Sequence, residues 1–194
     1  NKDMSRKVAF FDFDGTLVKG DSLLPFLGFT VGWPKLVTKF SSALLWPEAG
    51  HPDKRTAIKA TLLAQTLEGV PVTQAKAAAQ KLAPLRHWKQ PAHGALMRLK
   101  QEGALIVVAT GALDLYIDRL LEGLPVDKII ATDMESTNGL LTGRMLGGNC
   151  VRAEKARRVA AFIKTHGPFD EIHGYGNAPH DLAMLDLCDY KTIV

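Results

Sequence analysis

The stretch VAFFDFDGTLV, residues 8–18, sets two carboxylates, Asp12 and Asp14, at the end of an otherwise apolar run. A short run of large apolar side chains closed by Gly15 reads as a buried strand over residues 8–13. Side chains alternate along a strand, so Asp12 and Asp14 leave it on the same side as long as the extended conformation persists. Like charges that close raise one another's pKa unless a cation or a divided protonation state relieves them. The pair therefore reads as a cation site, an acid/base pair, or both.

Outward from this stretch, ALIVVAT (residues 104–110) is a second strand, with shorter apolar runs at KIIATD, EIHGYG and YKTIV. Helical patterns lie between them at residues 91–101, 113–121, 153–166 and 181–188. Strands alternating with helices predict an α/β fold with a parallel sheet covered on both faces. In such a sheet ligands gather beyond the carboxyl ends of the strands, where Asp12, Asp14 and Thr110 fall. Residues 17–88 break the alternation. They carry helical periodicity in DKRTAIKATLLAQTLEG and TQAKAAAQKLAPL and read as a helical insertion, with Gly69 and Pro71 closing one helix and Thr73 in the N-cap region of the next.

The chain has 194 residues and 46% hydrophobic content, enough for one compact domain or a domain with a sizeable insertion. Cys150 and Cys188 have no metal-ligand spacing and are too few for a disulfide framework, which points to core packing in a reducing cytoplasm. The net charge of +4 is spread without a block of like charge. It fits an anionic small molecule or a weak association with an acidic membrane surface. Basic residues interleaved with aromatics, expected of a nucleic-acid binder, are missing, and no obligate protein partner is indicated. Residues 22–46 are the most apolar region, but Lys35, Lys39, Pro25, Gly32 and Pro34 interrupt them, short of the roughly 20 apolar residues of a membrane span; they read as a helical hairpin. The N-terminus offers no signal-peptide core, and Asn1 to Asp3, ahead of Met4, read as added residues.

A carboxylate can attack a phosphoryl group to give an aspartyl-phosphate. That route needs a hard divalent cation, hydrogen-bond donors for the phosphoryl oxygens, a fixed positive charge and a second carboxyl to move protons. The chain offers Asp12 as nucleophile, Asp14 as proton donor, Thr110 and the Gly111 amide as phosphate donors, and Lys155 or Arg152 as the cation. GYGNAPHDLAML, residues 174–185, adds Asn177 and Asp181, oxygen donors suited to Mg²⁺. His173 and His180 flank this loop without a metal-ligand spacing and read as structural.

The order DFDGT, ATG, EK, GNAPHD resembles the four motifs of haloacid-dehalogenase-like phosphatases, in the phosphoserine-phosphatase-like branch (subfamily IB). The resemblance implies a Rossmann-like core (residues 1–16 and 89–194), an α-helical cap (17–88) and Mg²⁺-dependent hydrolysis of a small-molecule phosphate ester. It selects Lys155 over Arg152, and implies Asp12, Asp14, Thr110 and Lys155 as catalytic residues. Phe13, Thr110, Gly111 and Lys155 would hold phosphate, and Asp12, Asp14, Asn177 and Asp181 the metal. Most relatives carry aspartate where this chain has Asn177, which keeps an oxygen donor and loses a charge. Two alternatives follow: a phosphotransferase of the same fold, or a catalytically impaired phosphate-ester-binding protein. The glutamate and arginine that hold serine in phosphoserine phosphatases fall near Asp21 and Lys59. Lysine cannot reproduce arginine's bidentate fork, so phosphoserine is demoted, and the apolar stretch 26–46 suggests an amphipathic ester instead.

Overall fold

The computed structural model describes residues 5–194; residues 1–4, and with them the reading of Asn1 to Asp3 and the start of the expected core segment, lie outside the described residues. At the centre stands β1 (Lys7–Phe11), paired in parallel with β2 (Leu105–Leu113) and β5 (Glu171–Gly176). Beyond β2 come β3 (Lys128–Thr137), parallel, and β4 (Leu140–Leu146), antiparallel; beyond β5 comes β6 (Tyr190–Ile193), parallel. The six-stranded order is β4-β3-β2-β1-β5-β6.

The period-two alternation of β1 divides the core. Val8 and Phe10 pack with Val107 and Ala109 on one face, under Val159 and Met184. Ala9 and Phe11 join Ile106 and Val108 on the other, with Leu96, Leu99 and the helices of residues 17–88. A strand buried on both faces has no polar positions until its end, which is why the first charges after Lys7 are Asp12 and Asp14.

The insertion contains α1 (Leu23–Val31), α2 (Trp33–Leu45), α3 (Lys54–Leu67) and α4 (Val72–Leu82). The hairpin expected within residues 22–46 is the α1–α2 pair, which turns at Gly32 with a φ of 88°. Asp53 caps α3, its Oδ1 accepting from the Thr56 amide at 2.8 Å. Helix α4 starts at Val72, ahead of Thr73, because Pro71 with its fixed φ serves as the N-cap. The sheet is further covered by α5 (Ala92–Gln101), α6 (Ile117–Leu120), α7 (Arg152–His166) and α8 (Leu182–Leu185). Helix α6 is one turn rather than the span 113–121, since β2 continues through Leu113.

Two strand-like contacts tie the ends of the insertion together: the Lys19 amide donates to His87 O at 3.0 Å and the Lys89 amide to Leu17 O at 2.8 Å. The insertion also leans on the hairpin β3–β4. Gly143 lies so close to α3 that an added Cβ would sit 2.8 Å from Ala64 Cα. Among the described residues no helix is long and apolar enough to cross a membrane, and both cysteines are buried and unpaired.

Candidate active site

Strand β1 ends at Phe11, yet the Asp12 amide still donates to Tyr175 O at 3.0 Å, so pairing with β5 fixes the backbone of the first carboxylate. A turn follows in which Phe13 O accepts from the Thr16 and Leu17 amides. The Phe13 side chain is fully buried. Asp12 is buried, with Oδ1 accepting from Lys155 Nζ at 2.8 Å and Oδ2 from Thr16 Oγ1 at 3.0 Å. Lys155, from the first turn of α7, also donates to Asp181 Oδ1 at 2.7 Å. Burial pushes the Asp12 carboxyl up, while the Lys155 ammonium opposes that rise. For Lys155, burial would favour the neutral amine, but the charges of Asp12 and Asp181 outweigh it and hold the ammonium above the usual lysine range.

Asp14 leaves the turn towards the same cavity, of about 610 Å³, as Asp12, Lys155 and Asp181. Its Oδ1 accepts from the Ser22 amide at 3.0 Å, and Ser22 Oγ is bonded to Tyr116 OH at 2.9 Å. Burial, then the nearby charge of Asp21, raises the Asp14 carboxyl to about 7. Two carboxylates two residues apart thus have different electrostatic settings. One lies against an ammonium; the other exchanges its proton near neutrality, where one group can serve as both acid and base.

Asn177 Nδ2 lies 3.1 Å from each of three oxygens: Asp12 Oδ2, the Asp14 carbonyl and Thr16 Oγ1. Half a turn of the amide exchanges Nδ2 for Oδ1, and carboxylate, carbonyl and amide oxygens then face one point. These are hard donors of the kind Mg²⁺ takes, so the residues present fit the ion. Among the described residues no three His, Cys, Asp or Glu side chains gather in metal-binding geometry, so the fit depends on the neutral oxygens. Asp181 has its two oxygens engaged by Lys155 and by the Asn177 amide, the latter at 2.9 Å. In this arrangement it holds the lysine and the loop.

Thr110 and Gly111 fall where β2–β3 pairing breaks, in an irregularity between Ala109 and Leu113. Such a bulge turns backbone groups away from the ladder and towards the cavity. Thr110 Oγ1 accepts from the Ala112 amide at 3.0 Å. Gly111 has no room for a side chain, since a Cβ would meet Val151 Cγ1 at 2.7 Å. Its carbonyl accepts from Lys59 Nζ at 2.6 Å, and Lys59 also donates to Asn149 Oδ1 at 2.7 Å. Burial pulls the Lys59 ammonium down to about 8. Asp21 also lines the cavity, its Oδ2 accepting from the Leu24 amide at 3.2 Å.

The sequence did not single out Thr16, Ser22, Tyr116, Asn149 or Arg55, all of which build or line the site. His180, read as structural, lies at the cavity wall between Arg55 and Arg152. Arg152 adopts a left-handed backbone with a φ of 51°, a conformation that costs a non-glycine residue about 1–2 kcal/mol. A larger cleft of about 1080 Å³ beside α3 and β4 shares Asn149 and Arg152 with the site but includes none of Asp12, Asp14 or Lys155.

A parallel sheet with an acid pair beyond its central strand, and a lysine fixed against one of those acids, defines an α/β protein equipped for group transfer. A sequence profile described as haloacid dehalogenase-like hydrolase matches residues 9–186, and the chain belongs to that family. It is similar to Protein CicA of Caulobacter vibrioides, with 32% identity over 190 residues, 93% of this chain and 82% of the relative. It is also similar to a phosphoserine phosphatase of Archaeoglobus fulgidus, with 27% identity over 93% of this chain and 50% of that protein. A solved structure described as a phospho-aspartyl intermediate analogue of phosphoserine phosphatase superposes with a TM-score of 0.68 at 19% identity, covering 97% of this chain and 86% of that one. At that identity the likeness concerns the fold.

Proposed function

We propose that this chain is a Mg²⁺-dependent phosphomonoesterase that works through an aspartyl-phosphate on Asp12. The observation that carries the reading is the pairing, in one cavity, of an Asp12 carboxylate held by Lys155 with an Asp14 carboxyl that titrates near neutrality. The solved phospho-aspartyl analogue of similar fold supports it.

In the first step an Asp12 oxygen forms a bond to phosphorus, the ester P–O bond breaks, and the departing alkoxide takes the proton of Asp14. In the second, Asp14, now ionised, removes a proton from water. The water oxygen bonds to phosphorus and the Asp12 carboxylate is released with inorganic phosphate. Lys155 offsets charge on Asp12 and on the phosphoryl oxygens, which Thr110 and the Gly111 and Phe13 amides would orient. Asp12, Asn177 and the Asp14 carbonyl would hold Mg²⁺, whose charge offsets repulsion between carboxylate and phosphate. Asp181 keeps Lys155 in place.

Residues 17–88 would act as the cap over a core made of residues 1–16 and 89–194. The paired crossings at Lys19–His87 and Leu17–Lys89 form a narrow two-stranded neck, and Ser22, just past it, touches Asp14, so movement of the cap would be felt at the acid/base. The ester is small or amphipathic: Phe40, Leu44, Ile58 and Leu62 give the cavity an apolar wall. Phosphoserine is disfavoured because Lys59 is engaged by Gly111 and Asn149 rather than free for a carboxylate. A phosphate-release panel of phosphoserine, sugar phosphates, nucleotides and lysolipid phosphates, with and without Mg²⁺ and with Asp12→Asn as control, tests the reading. Phosphorylated products from added alcohols would show a phosphotransferase instead.

A further inference from the structure

Two helices point paired cations at the cavity. Helix α3 carries Arg55 one turn before Lys59, a spacing that puts the two on one helix face, and Arg152, whose left-handed backbone opens α7, stands three residues before Lys155. The inner pair has acceptors: Lys155 has Asp12 and Asp181, and Lys59 has Gly111 O and Asn149 Oδ1.

The outer pair does not. Arg55 Nη1 lies 3.0 Å from His180 Nε2, and Arg152 Nη2 lies 3.2 Å from His180 Nδ1. A neutral imidazole offers one acceptor nitrogen and an imidazolium none, so one histidine cannot satisfy both guanidiniums. Among the described residues neither arginine forms an ion pair. Asp53, the acid whose charge Arg152 influences, has both oxygens accepting from Thr56. No side chain caps α7, so the positive end of that helix faces the same place. All three side chains line the cavity that holds Asp12 and Asp14.

We propose that Arg55 and Arg152, with His180 between them, form a subsite for a second anionic group, a carboxylate or a phosphodiester, carried by the leaving group of the phosphomonoester. This rests on the phosphomonoesterase reading and adds a substrate class to it. Guanidinium forks suit either anion, and the subsite lines the same cavity as the Asp12 and Asp14 at which the phosphoryl group would be transferred. The second anion would displace one guanidinium from His180 and give both arginines an acceptor. It is distinct from the position of Lys59.

Binding without turnover tests it. Three non-hydrolysable phosphonates, alike except for an arm ending in a carboxylate, a methyl phosphodiester or a hydroxyl, are titrated calorimetrically into the wild-type protein, Arg55→Gln/Arg152→Gln and Arg55→Lys/Arg152→Lys. At least one charged arm is expected to bind about 10- to 100-fold more tightly than the hydroxyl arm, with the preference erased in the glutamine variant and partly kept in the lysine variant. The tighter charged arm identifies which anion the site takes. Equal binding of all three arms to wild type, a preference that survives in a folded glutamine variant, or no binding by any arm overturns the subsite. Phosphate release from simple esters judges the phosphomonoesterase reading separately.

Discussion

Lys155 Nζ lies 2.7 Å from Asp181 Oδ1, both side chains only 3% exposed, and the same ammonium reaches Asp12 at 2.8 Å. One cation therefore answers two buried carboxylates. Lys155→Met would leave both without a counter-charge, at a cost of about 3–5 kcal/mol. Urea unfolding should show that loss, together with loss of phosphatase turnover. Asp181→Asn keeps the Lys155–Asp12 contact and should cost less stability, about 1–3 kcal/mol, while still lowering turnover because Lys155 loses one of its two anchors.

Asp14 links stability and rate through one proton. Its folded pKa is raised from 3.8 to about 7, so the fold disfavours the carboxylate. The stability it contributes is fully present below about pH 4 and lost as pH rises towards 7. Asp14→Asn should stabilise the metal-free protein by roughly 2 kcal/mol at pH 8, with the gain shrinking to nothing near pH 4, as read by thermal melts across pH. In single-turnover experiments phosphorylation of the wild type should slow as pH rises through about 7, when Asp14 loses the proton it donates, while hydrolysis of the phospho-enzyme quickens over the same range.

Asn177 holds its place against three oxygens by donating hydrogen bonds. Asn177→Asp would replace that donor with a third carboxylate beside Asp12 and Asp14. The variant should melt below the wild type in chelator and gain more from added Mg²⁺, with tighter binding by about tenfold or more. Isothermal titration with Mg²⁺, paired with melts, checks both signs. Equal Mg²⁺ affinity in the two proteins would remove the position from the ion's neighbourhood.

Gly143 allows β4 to touch α3. Its φ of 82° disfavours any L side chain, and a Cβ there would lie 2.8 Å from Ala64 Cα. Gly143→Ala should cost about 2–4 kcal/mol, more than a surface substitution could. The atoms a Cβ would meet are the Cα and carbonyl oxygen of Ala64 and the carbonyl oxygen of Leu63, all kept in Ala64→Gly, so the double variant should recover none of the loss in chemical denaturation.

Much of this was legible because burial on both faces of β1 left only one place for charge. The apolar run ending in Asp12 and Asp14 located a buried strand, the carboxyl edge of the sheet and the acid pair together; that the strand is central comes from the pairing. The α1–α2 hairpin and α3 followed from periodicity and turn residues. Strand β4 was missed, although Asn138–Gly139, both at positive φ, is a strong two-residue hairpin signal between β3 and β4. Contacts far apart in sequence left no local trace: Lys59 to Gly111, Ser22 to Tyr116, and Arg55 with Arg152 around His180. Periodicity shows which face of a helix is apolar, and says nothing of which polar side chain crosses from one layer to the next.

The central claim is covalent attachment at one side chain, and rapid acid quench during turnover of a labelled ester tests it most directly. The phosphoryl group should appear transiently on the peptide containing residues 8–18, localised to Asp12 by mass spectrometry, and be absent from Asp12→Asn. Turnover in which no label ever reaches Asp12, at any quench time, would contradict the account.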